Sequence, residues 1–353
     1  MKVALVHDYL KEFGGAERVL LALAEIWPQA PIYTAFYKEG SAAHQRFKGR
    51  KIIASWAQNL PWFKDWLYSP LRFLAPRIWS SFDFSQYDLV ISSSSWYITK
   101  GFGEICYCHT PPRWLYGYQT AMHWQKYWPV RLYGRVVGNF LRLYDFRQAQ
   151  KVKHFIANSQ EVKQRIWKFY RRESTVIYPP VDLPKPIKTK KQDFYLIVSR
   201  LVGGKGIELG IEAARKYNFK LKIVGSGPLE LDPKANIELL GEVSDSELVK
   251  LYSKAKGFLA LSRDEDFGIT PVEAMACGTP VVAYAGGGYL ETIVAGKTGV
   301  FFKNYSTDGL WRAMKHLNNL NYLSIRKNCF EQAKKFSQDR FKREIKDFIG
   351  SHA

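Results

Sequence analysis

Two glutamates, Glu265 and Glu273, stand eight positions apart in SRDEDFGITPVEAMACGTPVVAYAGGG, residues 262–288. Gly268 breaks the pattern after the apolar run 257–261, and Thr270, Pro271 and Glu273 read as helix N-cap, first helical position and third helical position. That reading puts Glu265 in a loop and Glu273 in a first helical turn. The backbone N–H groups of Gly268, Ile269 and Thr270 would then lie at a helix start, where unpaired donors and the helix dipole favour a phosphate or diphosphate without any lysine. Carboxylates beside such a pocket are poorly placed for phosphate but well placed to accept hydrogen bonds from hydroxyls. The pattern suits a polyhydroxylated group carried on a diphosphate; Thr270 with Glu273 would equally make an ordinary capping box.

A cationic loop strengthens the first reading. After a strand over 194–199 comes RLVGGKG, which sets Arg200 and Lys205 around Gly203 and Gly204. A nucleotide sugar reacts by losing its diphosphate, and fixed cations aimed at the leaving oxygen stabilise the charge that grows there. The next loops, Gly225 to Gly227 in VGSGPLE and 240–243 ending at Val243, are read as the cradle of the nucleoside. In the first half of the chain, His109 ends a strand and opens HTPPRW, with Arg113 in the same loop. Asp8 follows the first strand, and Gly14 and Gly15 open the first helix, where their N–H groups would add a second anion site. For Asp8 a hydroxyl contact and a loop or capping role fit equally.

Glu265, Phe267, Gly268, the small-residue helix ending at Cys277 and Gly278, and the strand after Pro280 together resemble the retaining glycosyltransferases of family four. That family carries a Glu, seven intervening residues and a second Glu. The resemblance implies the GT-B fold, two Rossmann-like domains with parallel sheets facing a central cleft, and a nucleotide-sugar donor. It assigns Arg200 and Lys205 to the diphosphate, Glu265 to the sugar and His109 to the transferred sugar, with retention by front-side attack and no metal or other cofactor. The HTP followed by an arginine is similar to bacterial mannosyltransferases of O-antigen and polysaccharide synthesis, which favours GDP-mannose over a UDP-sugar and a lipid-linked saccharide as acceptor. Three alternatives stay open. The triplet Asp264, Glu265 and Asp266 has the oxygen chemistry to hold a divalent metal in a transferase of another fold. A nonenzymatic saccharide- or nucleic-acid-binding protein on the same scaffold, and an epimerase or phosphorylase relative, are the others.

The elements that must position these residues alternate. Strands are expected at 3–7, 89–92, 104–109, 154–157, 194–199, 221–224, 237–240, 257–261 and 281–284, with helices at 16–26, 161–170, 206–216 and 338–349. Parallel sheets take ligands outside the carboxyl ends of their strands, where every motif above lies. Pro179 and Pro180 mark a hinge, giving a first domain over 1–180, a donor domain over 181–335 and a last helix within 336–353 that crosses back to the first domain. A GxGxxG and a GxxxxGK[ST] loop are both absent, which argues against a dehydrogenase and an NTPase.

At 353 residues, 46% hydrophobic and 24% charged, the composition is that of a globular protein with two cores. No run of eighteen apolar residues and no signal-like start occur, so a cytoplasmic protein with reduced cysteines is expected. Cys106 and Cys108 are read as packing residues on opposite strand faces. The net charge is +20, of which residues 1–180 carry +13 and 181–353 carry +7. The segment 56–82, with Trp, Phe and Leu among Lys64, Arg72 and Arg77, has the composition of an interfacial segment on an anionic membrane, and equally of a packed helical pair. Nucleic acid is disfavoured as a partner, because no recognised binding pattern accompanies the charge.

Overall fold

The computed structural model describes residues 1–118, 127–228 and 236–352. Of these, 1–118, 127–180 and 338–352 form one compact unit, and 181–228 with 236–337 form a second.

The first unit holds a seven-stranded parallel sheet of β1 (Val3–His7), β2 (Ile32–Thr34), β3 (Ile52–Ala54), β4 (Leu89–Ser94), β5 (Ile105–Cys108), β6 (His154–Ala157) and β7 (Ser174–Val176). Its spatial order is β3-β2-β1-β4-β5-β6-β7. The second unit holds a six-stranded parallel sheet of β8 (Tyr195–Val198), β9 (Leu221–Val224), β10 (Ile237–Gly241), β11 (Gly257–Ala260), β12 (Val281–Tyr284) and β13 (Gly299–Phe302), ordered β10-β9-β8-β11-β12-β13. These are two Rossmann-like parallel sheets, one in each unit, as the resemblance implies. Each order reverses once, at β1/β4 in the first sheet and at β8/β11 in the second. Crossover connections leave in opposite directions at such a point, and a crevice opens outside the strand ends.

The strands are short apolar runs because helices cover both faces. Leu5, Ile91, Ile105 and Tyr107 pack on one side of the first sheet with Val19, Leu20 and Leu23 of the helix Gly15–Ile26. Phe341, Ile345, Phe348 and Ile349 of the last helix, Gln338–His352, join the same core. Arg340 of that helix donates to the Tyr178 and Pro179 carbonyls at 2.8 and 3.2 Å. Cys106 and Cys108 lie in one core cluster on the same face of β5, which corrects the expectation of opposite faces: residues two apart in a strand share a side. All four cysteines are unpaired and buried.

A fully buried ion pair anchors the other side of the first sheet. Lys100 Nζ donates to Asp145 Oδ1, while the Tyr116 and Tyr170 hydroxyls donate to Oδ2, each at 2.7 Å. Burial lowers the Lys100 pKa, and the Asp145 carboxylate together with the neighbouring Cys108 and Cys106 thiols raises it, so that it stands above the ordinary value. Lys100→Met would leave a buried carboxylate without its cation. We expect a loss of about 3–5 kcal/mol in urea unfolding; a loss below about 1 kcal/mol would contradict this account of the pair.

Candidate functional site

In the second unit, the loops that leave β8 and β11 at the reversal meet. Lys205, from the first loop, places Nζ 2.9 Å from Glu265 Oε2 of the second, and the Tyr289 hydroxyl approaches the same oxygen at 3.4 Å. Both charged side chains are partly buried. The Ser262 hydroxyl donates to the Gly204 carbonyl at 3.1 Å, so the two loops are tied by a neutral bond as well, and Tyr305, after β13, donates to the Leu261 carbonyl at 2.9 Å. Arg200, exposed, opens the loop that Lys205 closes.

The helix that follows Glu265 begins differently from the expectation. It spans Ile269–Ala276 with Gly268 as N-cap at φ +92, and no side chain caps it. Thr270 is therefore not the cap. Gly268 is required because a Cβ there would sit 2.9 Å from the Tyr289 ring, and because that backbone region is costly for other residues. Glu273 is buried and accepts from the Tyr252 hydroxyl at 3.0 Å. Phe267 is buried and meets Phe336 edge-on at 5.3 Å. The first-turn N–H groups of Ile269 and Thr270 have no acceptor within the helix, as at any helix start.

The remaining donor-side loops are knit by close backbone contact. A Cβ on Gly225, at φ +134, would lie 1.9 Å from the Ser199 carbonyl oxygen. Gly225 N–H donates to Gly241 at 2.8 Å, Leu201 N–H donates to Ser226 at 2.8 Å, and the Ser226 hydroxyl donates to Glu242. The loop carrying Val243 is thereby fixed beside the loop carrying Arg200. Glu265 is engaged by Lys205 and Tyr289, and among the described residues no three of His, Cys, Asp and Glu gather into a metal-holding group.

The first unit presents a second polar cluster at its own reversal. Asp8 follows β1, and its carboxylate accepts from Ser95 N–H, Ser95 Oγ and Trp96 N–H at 3.0, 2.8 and 2.5 Å and from Thr99 Oγ1 at 2.9 Å. These four donors make Asp8 the clasp of the loop after β4. Gly14 N–H donates to the Glu17 carboxylate at 2.8 Å, so the anion next to that glycine is an internal one. Glu17 Oε1 stands 3.4 Å from His7 Nε2, His7 Nδ1 lies 3.0 Å from Ser93 Oγ, and Ser93 Oγ lies 2.8 Å from His109 Nε2.

This buried chain has a direction. With both imidazoles neutral, the carboxylate takes the His7 Nε2–H, His7 Nδ1 accepts from the Ser93 hydroxyl, and Ser93 Oγ accepts from His109 Nε2–H. His7, Glu17 and Ser93 were not singled out in the sequence, since LVISSS shows only a strand ending in small polar residues. The HTPPRW loop is held by Arg165, which donates to Thr110 Oγ1 at 3.1 Å, and by Trp114, which donates to the Trp96 carbonyl at 3.3 Å. Arg113 lies in this loop, with its carbonyl accepting from Tyr118 N–H at 3.1 Å.

With this geometry in place, comparison with known proteins gives a consistent result. The pattern of the family Glycosyltransferase Family 4 matches residues 13–185, and that of Glycosyl transferases group 1 matches residues 181–336. The chain belongs to the glycosyltransferases of family-four type, with the GT-B fold. Among curated relatives, it is 28% identical over 211 residues to the uncharacterized glycosyltransferase MJ1178 of Methanocaldococcus jannaschii, covering 58% of this chain and 59% of that protein. It is 31% identical over 188 residues to the O-antigen chain mannosyltransferase RfbU of Salmonella typhimurium, covering 48% and 52%. The chain thus spans between half and three-fifths of these relatives' lengths. A solved structure of Anabaena Alr3699/HepE, in complex with UDP and glucose, superposes with a TM-score of 0.72 over 99% of this chain and 100% of that one, at 19% identity. That likeness establishes the fold.

The cap assignment has a direct test. Thr270→Ala should change stability by less than about 0.5 kcal/mol, where loss of a true side-chain cap costs about 1 kcal/mol. Gly268→Ala should cost about 1–3 kcal/mol for backbone strain and the Tyr289 clash. Thermal unfolding of the two variants reads both, and the reverse ranking would restore Thr270 as the cap.

Proposed function

We propose that the protein transfers a hexose from a nucleoside-diphosphate sugar to a saccharide acceptor with retention of anomeric configuration, in cell-surface glycan synthesis. The observation that carries this reading is the Lys205–Glu265 pair at the strand-order reversal, beside a helix start without a side-chain cap. In this assignment Lys205 and Arg200 meet the diphosphate, together with the N–H groups of Gly268, Ile269 and Thr270. Lys205 then exchanges one anionic partner for another, so its positive charge is already held in place before the donor arrives. Glu265 accepts from sugar hydroxyls once Lys205 turns to phosphate, and Glu273 ties the helix Ile269–Ala276 to the helix Asp245–Lys254 through Tyr252. Gly225 and Val243 border the nucleoside, and Phe267 backs the loop from within the core.

His109 is assigned to the transferred sugar, with Arg113 nearby in the chain. Asp8, Gly14 and Gly15 serve this reading by shaping the first-unit loops. No metal or cofactor enters the reaction as assigned. GDP-mannose is the favoured donor, on the HTP and arginine pattern and the similarity to RfbU, with a UDP-sugar as the second reading that the likeness to HepE favours.

A lipid-linked acceptor would need the protein at a membrane surface. Among the described residues no helix is long and apolar enough to cross one. The helix Trp128–Lys151, however, exposes Trp128, Leu132, Val136, Phe140 and Leu143, a stripe at helical spacing. Arg131, Arg135 and Arg147 are exposed on the same helix. The segment 56–82 is of mixed character: Phe63, Ile78 and Trp79 are core, while Trp56, Trp62, Trp66 and Phe73 are exposed. The Tyr133 hydroxyl donates to the Pro70 carbonyl, tying the segment to the helix. Large exposed aromatics among cations suit adsorption to an anionic bilayer, so we place the protein at the inner membrane face as a peripheral partner of acidic lipid.

Three outcomes are expected. Lys205→Ala should lower kcat by about 100-fold or more, as loss of a fixed group facing developing charge does, while the NMR-determined product linkage keeps the donor's anomeric configuration; an inverted linkage would remove retention. Ser93→Ala should reduce kcat/KM on the order of tenfold, the loss of about 1.4 kcal/mol of positioning, with folding intact; an unchanged rate would separate His109 from its buried chain. Flotation with phosphatidylglycerol vesicles should weaken at high salt and fall at least tenfold in Leu132→Glu/Phe140→Glu, since two exposed side chains carry about 3 kcal/mol or more of apolar transfer. Undiminished flotation would move the membrane contact elsewhere.

A further inference from the structure

A cavity of about 330 Å3 in the second unit is lined by Thr189, Lys190, Lys191, Lys256, Tyr322 and Arg326. Its place in the fold separates it from the loops described above. Lys191 precedes β8, Lys256 immediately precedes β11, and Lys191 Nζ donates at 2.6 Å to the hydroxyl of Thr279, which precedes β12. These are the amino ends of the same strands whose carboxyl ends lead to Lys205 and Glu265. A four-residue strand is about 13 Å long, so the cavity lies a sheet's width from the donor loops.

The charge of this cavity is only partly compensated. Among the described residues, Lys256 alone of its cations has an acidic partner, Asp193 at 2.9 Å. Among the described residues no carboxylate pairs with Lys190, Lys191 or Arg326. Lys191 is held over the Tyr322 ring at 5.8 Å, and Arg326 over the Phe330 ring at 5.6 Å. The Tyr322 hydroxyl and Arg326 Nε are both buried, and neither has a hydrogen-bond partner among the described residues. Buried donors without acceptors are uncommon, and each calls for an explanation. Three unneutralised cations gathered on one concave wall are also unfavourable without an anion. Tyr322 is the first residue of the helix Tyr322–Lys334, so the positive end of that helix adds to the same field.

We propose that this cavity is a second anion site, which binds the phosphate group of a small soluble phosphate ester or inorganic phosphate. Phosphate supplies several acceptor oxygens and up to two negative charges, which matches a wall of ammonium, guanidinium and phenol donors and no acidic lining. The volume accommodates a phosphate with an organic substituent of sugar size. Burial, with Arg326 beside it, lowers the Lys191 pKa to about 8 while the Cys277 and Cys329 thiols act in the opposite sense; a bound dianion would raise it again. The inference does not depend on the assignment of Lys205 and Glu265.

The test is thermal unfolding of the full chain with inorganic phosphate or a hexose phosphate, against chloride at equal ionic strength. Wild-type protein should be stabilised, and the apparent phosphate affinity should fall at least tenfold in Arg326→Gln and in Lys190→Glu, the latter a change to an exposed side chain that leaves the core untouched. Stabilisation by a nucleoside diphosphate should persist in both variants. Tighter binding of the hexose phosphate identifies an ester as occupant, and equal binding identifies the phosphate ion. Either no phosphate shift in the wild type, or an equal shift in wild type and both variants, would overturn the proposal, the second by tracing the response to the donor loops.

Discussion

The reversal of strand order between β8 and β11 is the constraint on which the site depends. Lys205 and Glu265 are 60 residues apart in the chain and reach 2.9 Å only because their parent strands are neighbours whose connections depart to opposite sides. The pair is partly buried, so its net contribution to stability is small once desolvation is counted. Its value lies elsewhere. A cation and a carboxylate that hold each other in position can be redirected to an anionic diphosphate and to neutral hydroxyls with little reorganisation.

Close backbone approach makes the same loops rigid. Gly225 lies against the Ser199 carbonyl, Gly268 against the Tyr289 ring, and Gly288 N–H donates to the Glu265 carbonyl at 2.8 Å. None of these positions accepts a side chain without displacement. The first unit solves its own positioning problem with buried polar groups instead. At β1/β4, Asp8 satisfies four donors of the following loop, and Glu17, His7 and Ser93 set the tautomer of His109. Full satisfaction of such a cluster is what makes it a precise support.

Much of this was legible in the residues, and the failures are instructive. The expected strands 154–157, 221–224 and 281–284 match β6, β9 and β12 end to end, because buried parallel strands are continuous apolar runs bounded by polar breaks. The three-residue strands β2, β3 and β7 were missed, being too short for a periodic signal, as was β13, whose residues follow a glycine-rich turn. Thr270 was read as a cap from its type alone. The structure gives that place to Gly268, because the packing of Tyr289, distant in sequence, leaves no room for a side chain there. The helix Trp128–Lys151 went unrecognised for the opposite reason: it carries apolar residues on an exposed as well as a buried face, so the contrast that reveals an amphipathic helix is blurred. Lys205 and Glu265 could be named from their loops, but their contact is a property of topology, and the relay through Ser93 joins three strands that no local pattern relates.

The most direct measurement of the central claim is a crystal structure of the protein with GDP or UDP bound. The account predicts diphosphate oxygens within hydrogen-bond distance of the Ile269 and Thr270 N–H groups and of Lys205 Nζ, with the Lys205–Glu265 contact opened. A nucleotide bound elsewhere, with that contact intact and the helix start untouched, would contradict it.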